Sequence, residues 1–312
     1  MRTRKLGKDG PEISVIGYGA WEAGGMAWGP NPPDEETLDA MRAAFDAGVT
    51  WVDTAEVYGG GRSEELVAEA VAGRDIVVFT KVAPKPGGSG FDGAGVRAGA
   101  EASLRRLRRD VIDLYQLHWP DRGVPVEETW EAMAALVDDG LVRWIGVSNF
   151  SSELLDRCER IRHVDSLQPH FSLLHQDGMD DLFAHCEEAG TGVLAYGPLA
   201  FGLLTGAFDE TTRFTDDDWR GGGHGMGNYE TMFAPVPFRR NLAVVEALRP
   251  IADAKGVTVA QLALAWVIAQ RGVTAAIAGS RSAAHTRENA GAGDVELAAK
   301  DLQAVEDAVA GR

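Results

Sequence analysis

The sequence predicts an α/β fold: a (β/α)8 TIM barrel with an N-terminal β-hairpin, a long loop insert after strand 7 and a C-terminal helix. Three observations carry that expectation. Eight short β-branched or apolar runs alternate with longer stretches of helical period, which implies a parallel sheet. Eight is the strand count at which such a sheet closes on itself, and 312 residues suit one barrel domain spanning 1–312. Polar residues recur at the C-terminal ends of those runs, the face on which barrels carry their sites.

Arg4, Lys5 and Leu6, an Asp9-Gly10 turn and then Ile13 predict a small hairpin that plugs the barrel floor. Strands are expected at Ser14–Tyr18, Thr50–Asp53, Ile76–Lys81 and Val111–His118. They continue at Arg143–Ser148, Val164–Gln168, Gly192–Tyr196 and Val273–Ala278. Helices announce themselves as apolar stripes: Leu38, Met41, Ala44 and Phe45; Val96, Ala100, Leu104 and Leu107. Trp130, Met133, Ala134 and Val137 give a third stripe, and Leu154, Leu155, Cys158 and Ile161 a fourth. Residues 205–237 break the repeat and, being rich in Gly, Asp and aromatics, predict a lid or binding loop. A last helix is expected over Ala298–Val309, with no linker and no second domain.

Hydrophobic residues make up 45% of the chain and charged ones 25%, enough for a large core. A formal net charge of −17 with dispersed basic residues disfavours nucleic acid and anionic lipid as partners. Arg105, Arg106, Arg108 and Arg109 share one predicted helix, where a solvated face is the plainer reading. Cys158 and Cys186 have no CxxC spacing and read as free thiols. Met1–Gly10 carries no secretory pattern, and the most apolar stretch, Val257–Ala269, is too short for a bilayer. A soluble, cytoplasmic protein without a membrane partner is expected; no oligomeric state is implied.

Asp53 ends the second expected strand, Lys81 the third, His118 the fourth and Ser148-Asn149 the fifth. Gln168 ends the sixth, Tyr196 the seventh, and Gly279-Ser280-Arg281 follow the eighth. Seven such sets on successive strands are hard to assign to packing. Among them, Asp53, Tyr58, Lys81 and His118 suggest general acid chemistry. A lysine ammonium about 4 Å from a phenol favours the phenolate by roughly 4 kcal/mol at an effective dielectric of about 20. That brings a phenol pKa of about 10 down by roughly three, before burial opposes it. Asp53 would hold Lys81 charged, and His118 would donate to the substrate oxygen. Singly, each has a bland reading: a cap, a surface tyrosine, a core histidine. Only buried lysine is unusual without a partner. Glu56 reads as a solvated carboxylate.

Gly17-Tyr18-Gly19 begins like a dinucleotide fingerprint, but Glu22 stands where the third glycine belongs, which argues against a Rossmann site. No HExxH and no histidine pair points to a metal, and Ser148 lacks a nucleophile-elbow setting.

Several longer strings are more specific. They are Val52-Asp53-Thr54-Ala55-Glu56-Val57-Tyr58-Gly59, Phe79-Thr80-Lys81 and Asp113-Leu114-Tyr115-Gln116-Leu117-His118-Trp119-Pro120. Ile145-Gly146-Val147-Ser148-Asn149-Phe150, Gly197-Pro198-Leu199 and Gly279-Ser280-Arg281 with Glu288-Asn289 follow in order. From about Arg4 to the end the chain resembles the aldo-keto reductase superfamily, in particular its bacterial branch. The resemblance implies NADP(H)-dependent reduction of an aldehyde or ketone, with Asp53, Tyr58, Lys81 and His118 as the catalytic tetrad. It places Ser148, Asn149 and Gln168 at the nicotinamide carboxamide, with Tyr196 under the ring. The pyrophosphate would lie along Leu199 to Leu203, including Gly202. The 2′-phosphate end would fall near Gly279, Ser280, Arg281, His285, Glu288 and Asn289, and the substrate pocket would include Trp21, Trp28 and Trp119. The chain departs from the family habit in having Gly279-Ser280 for Lys-Ser and His285 for an arginine, with Arg281 as the remaining cation. Two other readings are a barrel aldolase using Lys81 as a Schiff base and an NADP(H)-binding regulatory subunit with little turnover, as in channel subunits of this fold.

Overall fold

The chain begins with a two-stranded antiparallel hairpin, β1 (Thr3–Lys5) and β2 (Glu12–Ser14), which pairs Thr3 with Ser14 and Lys5 with Glu12. A computed structural model describes residues 1–310, leaving aside the side chain of Asn228. Leu6 and Ile13, at the hairpin's end, are fully buried and pack with Trp51, Phe79 and Leu114. They plug the barrel floor, as the alternation there predicts. The expected first strand is split: Ser14 belongs to the hairpin. Its hydroxyl donates to the Ile16 carbonyl (2.7 Å), which turns the chain into the barrel.

Eight parallel strands then close the barrel: β3 (Ile16–Gly19), β4 (Trp51–Asp53), β5 (Val77–Val82), β6 (Ile112–Leu117), β7 (Val142–Ser148), β8 (Ser166–Gln168), β9 (Gly192–Tyr196) and β10 (Val273–Ala278). Each pairs with the next in sequence, and β10 pairs with both β9 and β3. Strands covered on both faces read as unbroken apolar runs, which is why they were visible as runs rather than alternations. Closure also needs close approach. A Cβ on Gly17 would lie 2.2 Å from the Trp51 indole, whose Nε1 donates to the Ser14 carbonyl at 2.8 Å.

The outer layer comprises α1 (Asp34–Asp46), α2 (Arg62–Ala70), α3 (Gly93–Leu107), α4 (Val126–Asp138), α5 (Ser152–Glu159) and α6 (Met179–Ala189). After the insert, which holds α7 (Asn228–Thr231), come α8 (Pro235–Lys255), α9 (Val259–Ala269), α10 (Ala283–Gly291) and α11 (Ala299–Ala310). Their starts are set by local chemistry. Asp92 accepts from Gly95 N at α3, Ser151 from Leu154 N at α5, and Thr258 and Gln261 cap α9 reciprocally. Ile161, expected in an apolar stripe, lies beyond α5 and is exposed. Among the described residues no single helix is long and apolar enough to cross a membrane.

Two of the four clustered arginines do more than face solvent. Arg106 binds the buried Glu64, whose carboxylate also accepts from Thr80 (2.6 Å), and Arg109 binds the buried Asp113 at 2.8 Å. Buried carboxylates need such partners, and neighbouring helices can supply them only in three dimensions.

Candidate active site

Asp53 closes β4 and Lys81 lies near the end of β5, so the adjacent parallel strands bring the two side chains together inside the barrel mouth. Lys81 is fully buried, and its ammonium has three partners. It forms an ion pair with Asp53 Oδ1, donates to the Thr54 carbonyl at 2.9 Å, and donates to Tyr58 Oη at 3.4 Å. An ammonium has three donors, so none is left over. The other Asp53 oxygen accepts from Gln168 Nε2 (2.8 Å) and Gln116 Nε2 (3.3 Å).

Tyr58 stands at a sharp turn after β4. Gly59, with φ +64°, follows it, and a Cβ there would lie 2.2 Å from the Gly24 carbonyl oxygen. Glycine is thus required for the phenol to be presented inward. Tyr58 Oη lies 3.5 Å from His118 Nε2, and the two rings meet edge to face at 5.5 Å. His118 is held one residue past β6 by its N–H, which donates to the Val82 carbonyl at 2.9 Å.

The electrostatics depart from the sequence expectation for Tyr58. Burial raises its phenol pKa well above the ordinary value, with Asp53 and then Tyr229 adding to the rise. The Lys81 field does not win, because Asp53 lies against the same ammonium and cancels much of it. Lys81 itself is pulled down by burial and supported by Asp53. His118 is held well below the usual imidazole range, first by burial and then by Lys81. Its Nδ1 is buried without an acceptor, which favours the tautomer carrying its proton on Nε2.

Glu56 is a correction. It is buried, and its carboxylate accepts from Ala83 N (2.8 Å), Ser89 N (2.9 Å) and the Ser89 hydroxyl (2.6 Å), pinning the loop after β5.

A polar chain runs along one side of the mouth. Ser148 Oγ donates to the Gln168 carbonyl (2.8 Å), and Asn149 Nδ2 donates to Ser148 Oγ (3.0 Å) and the His118 carbonyl (3.2 Å). Tyr196 donates to Asn149 Oδ1 (2.8 Å) and meets the Tyr229 hydroxyl at 2.5 Å. The Gln168 side chain turns toward Asp53 and Gln116, so it is part of the carboxylate's hydrogen-bond shell.

Aromatic rings form the walls. Trp119 stacks on His118 at 3.8 Å, Trp21 lies 6.3 Å from Tyr58, and Trp28 meets Trp21 edge-on at 4.9 Å. Phe201, Trp219 and Tyr229 complete the wall and were not singled out from the sequence. Their only signal was the aromatic content of the region after β9, which has no period to show where each ring points.

After β9 the chain passes through Gly197, Pro198 and Leu199 into a run of left-handed residues: Ala200 (φ +47°), Phe201 (+56°) and Gly202 (+103°). Leu203 beyond them is fully buried. Non-glycine residues in this region are strained, and such strain gathers at ligand clamps. Beside this run, an open cleft of about 600 Å3 is lined by Glu22, Arg220, Ser280, Arg281, Ser282 and His285 together with Pro30–Pro32. Gly279 follows β10 directly before this lining, where a Cβ would lie 2.5 Å from the Gly19 carbonyl oxygen. Glu288 and Asn289 lie on α10 outside the lining; Asn289 is buried, and the Glu288 carbonyl accepts from Gln261. Arg281 donates to the Trp28 carbonyl (2.8 Å) and the Pro30 carbonyl (3.0 Å) and sits 3.9 Å from Glu22. Its nearby carboxylate is Glu22. Two hydroxyls, a guanidinium and an imidazole, those of Ser280, Ser282, Arg281 and His285, therefore share this cleft.

The sequence pattern of the Aldo/keto reductase family matches residues 15–310. The aldo-keto reductase YhdN of Bacillus subtilis is 37% identical over 291 residues, covering 90% of this chain and 85% of its own. A probable voltage-gated potassium channel β subunit of Arabidopsis thaliana is 30% identical over 311 residues, covering 95% and 92%. The solved structure of a glycerol dehydrogenase from Gluconobacter oxydans superposes with a TM-score of 0.87 at 32% identity, covering 99% of this chain and 95% of that one. The closed eight-strand barrel and these likenesses together settle the assignment: the chain belongs to the aldo/keto reductase family of oxidoreductases.

Proposed function

We propose that the protein reduces the carbonyl of a small aldehyde or ketone, with Tyr58 as the proton donor and NADPH as the reductant. When bound, the coenzyme supplies the hydride to the carbonyl carbon. What this chain supplies is a place for the oxygen. Tyr58 Oη and His118 Nε2, 3.5 Å apart, form two donors that converge on one acceptor, and this pairing is the observation that carries the reading. Charge grows on the carbonyl oxygen as hydride arrives, so donors aimed there act mainly on the transition state.

The raised phenol pKa suits the role in one respect: it keeps the proton on Tyr58 at neutral pH. The proton then passes once the oxygen has become the stronger base. Lys81, 3.4 Å away, faces the phenolate that is left, and Asp53 keeps that lysine in place. Trp21, Trp28 and Phe201 form an apolar wall beside the phenol. Ser148, Asn149 and Tyr196 would hold the nicotinamide end; Ser280, Arg281 and His285 line the far cleft.

Tyr58→Phe tests the assignment. Carbonyl reduction at neutral pH should fall at least about a hundredfold, while NADPH binding by fluorescence stays nearly unchanged. A variant that keeps more than about a tenth of wild-type kcat would sink Tyr58 as the acid. The likeness to a channel β subunit favours a second reading, a coenzyme-binding regulatory subunit with little turnover. NADPH oxidation with a reactive aldehyde separates the two. The aldolase reading loses support because all three Lys81 donors are engaged.

A further inference from the structure

We propose that Glu22 competes with a coenzyme phosphate for Arg281, and thereby sets how strongly the cleft prefers a 2′-phosphate over a 2′-hydroxyl. The inference rests on the reading that this cleft takes a dinucleotide.

Glu22 begins a short 3-10 turn directly after Trp21 and lines the cleft together with Ser280 and Arg281. Its Oε2 lies 3.9 Å from Arg281 Nε, and about a quarter of its side chain (26%) remains open to the cleft. That separation is an ion pair without a tight hydrogen bond, so the carboxylate keeps its acceptor capacity for a ligand. Both cations near it have partners. Arg281 donates one bond from each terminal nitrogen to the Trp28 and Pro30 carbonyls, which leaves further donors for a ligand, and Arg220 is paired with Asp218 at 2.6 Å. Two guanidiniums thus face two carboxylates, Arg281 with Glu22 and Arg220 with Asp218.

The two kinds of coenzyme meet that balance differently. A phosphate monoester carries nearly two negative charges and needs Arg281's guanidinium; it meets Glu22 as a like charge. A hydroxyl can donate to the same carboxylate, which accepts and cannot donate. Glu22 therefore penalises one coenzyme and tolerates or holds the other.

Dissociation constants for NADPH and NADH, from quenching of tryptophan fluorescence, test this in the wild type, in Glu22→Gln and in Glu22→Lys. Glu22→Gln keeps the shape and removes the charge. It should tighten NADPH by about fivefold or more while NADH stays within about twofold or weakens, and Glu22→Lys should shift the ratio further the same way. A ratio of the two constants that moves less than this in Glu22→Gln, or moves toward NADH, overturns the proposal. If the wild type binds neither coenzyme, the dinucleotide reading fails and takes the proposal with it. Wild-type binding with an unmoved ratio removes Glu22's role alone. Circular dichroism shows that each variant is folded.

Discussion

His170, two residues past β8, is held neutral by its surroundings: burial first, and then His175, push its imidazole down to about 3. Its ring stacks with those of Tyr196 and His175. The consequence for stability has a definite sign. Below its ordinary pKa of about 6.5 the unfolded chain binds a proton here that the folded chain does not, until about pH 3. Stability contributed by the neutral ring is thus complete above about pH 6.5 and falls by about 1.4 kcal/mol per unit below it. Urea midpoints for wild type and His170→Gln between pH 7 and 4.5 should diverge, the variant losing stability with a slope shallower by about one proton. Parallel slopes would show that His170 protonates in the fold. Residue types were legible at this scale, but environments were not. Asp53, Lys81 and His118 could be placed at strand ends by counting, whereas Glu56 and the direction of the Tyr58 shift depend on what surrounds each atom. No spacing reveals that Ser89 returns to Glu56, or that Asp53 lies close enough to Lys81 to blunt its field.

Elements were easier to foresee wherever the pattern has a period. The barrel strands differ from the expected spans mainly at their ends, because an apolar run marks a buried strand but not the residue where pairing stops. The region 205–237 has no period, and there the expectation of one long loop was too simple. Its last residues open α8 at Pro235, and its middle is strapped to the loop after β3. Trp28 and Asp218 form an isolated antiparallel bridge, and Trp219 N donates to the Ala27 carbonyl at 2.9 Å. Arg220 locks the strap: it pairs with Asp218 while lying 4.8 Å from the Phe214 ring centroid and 5.1 Å from that of Trp28. Removing one partner of so enclosed a pair leaves the other charge uncompensated, at a cost of roughly 3 kcal/mol. Asp218→Ala should therefore raise protease cleavage between residues 213 and 229 by on the order of a hundredfold, read by peptide mapping, with NADPH restoring part of the protection. Unchanged cleavage would mean that the backbone bridge and the rings hold the strap without the pair.

At the scale of the whole molecule, charge and cleft act on different lengths. The net charge of −17 sets the field that an approaching anion meets far from the protein, whereas the cleft's arginines and carboxylates nearly cancel close up. NADPH carries several negative charges, so the long-range field should slow its approach, and salt should relieve that repulsion. The Debye length falls from about 30 Å at 0.01 M to about 8 Å at 0.15 M, so charges far from the cleft are screened out. Stopped-flow association rates for NADPH should therefore rise several-fold over that range, with dissociation rates changing less because contacts inside the cleft are screened less. NADH, with fewer charges, should show the same direction and a shallower slope. A site governed by its own cations would behave oppositely, with association slowing as salt is added. If NADPH association slows with salt, the local field of Arg281 and Arg220 reaches beyond the cleft, and their neutralisation by Glu22 and Asp218 is less complete than the geometry implies.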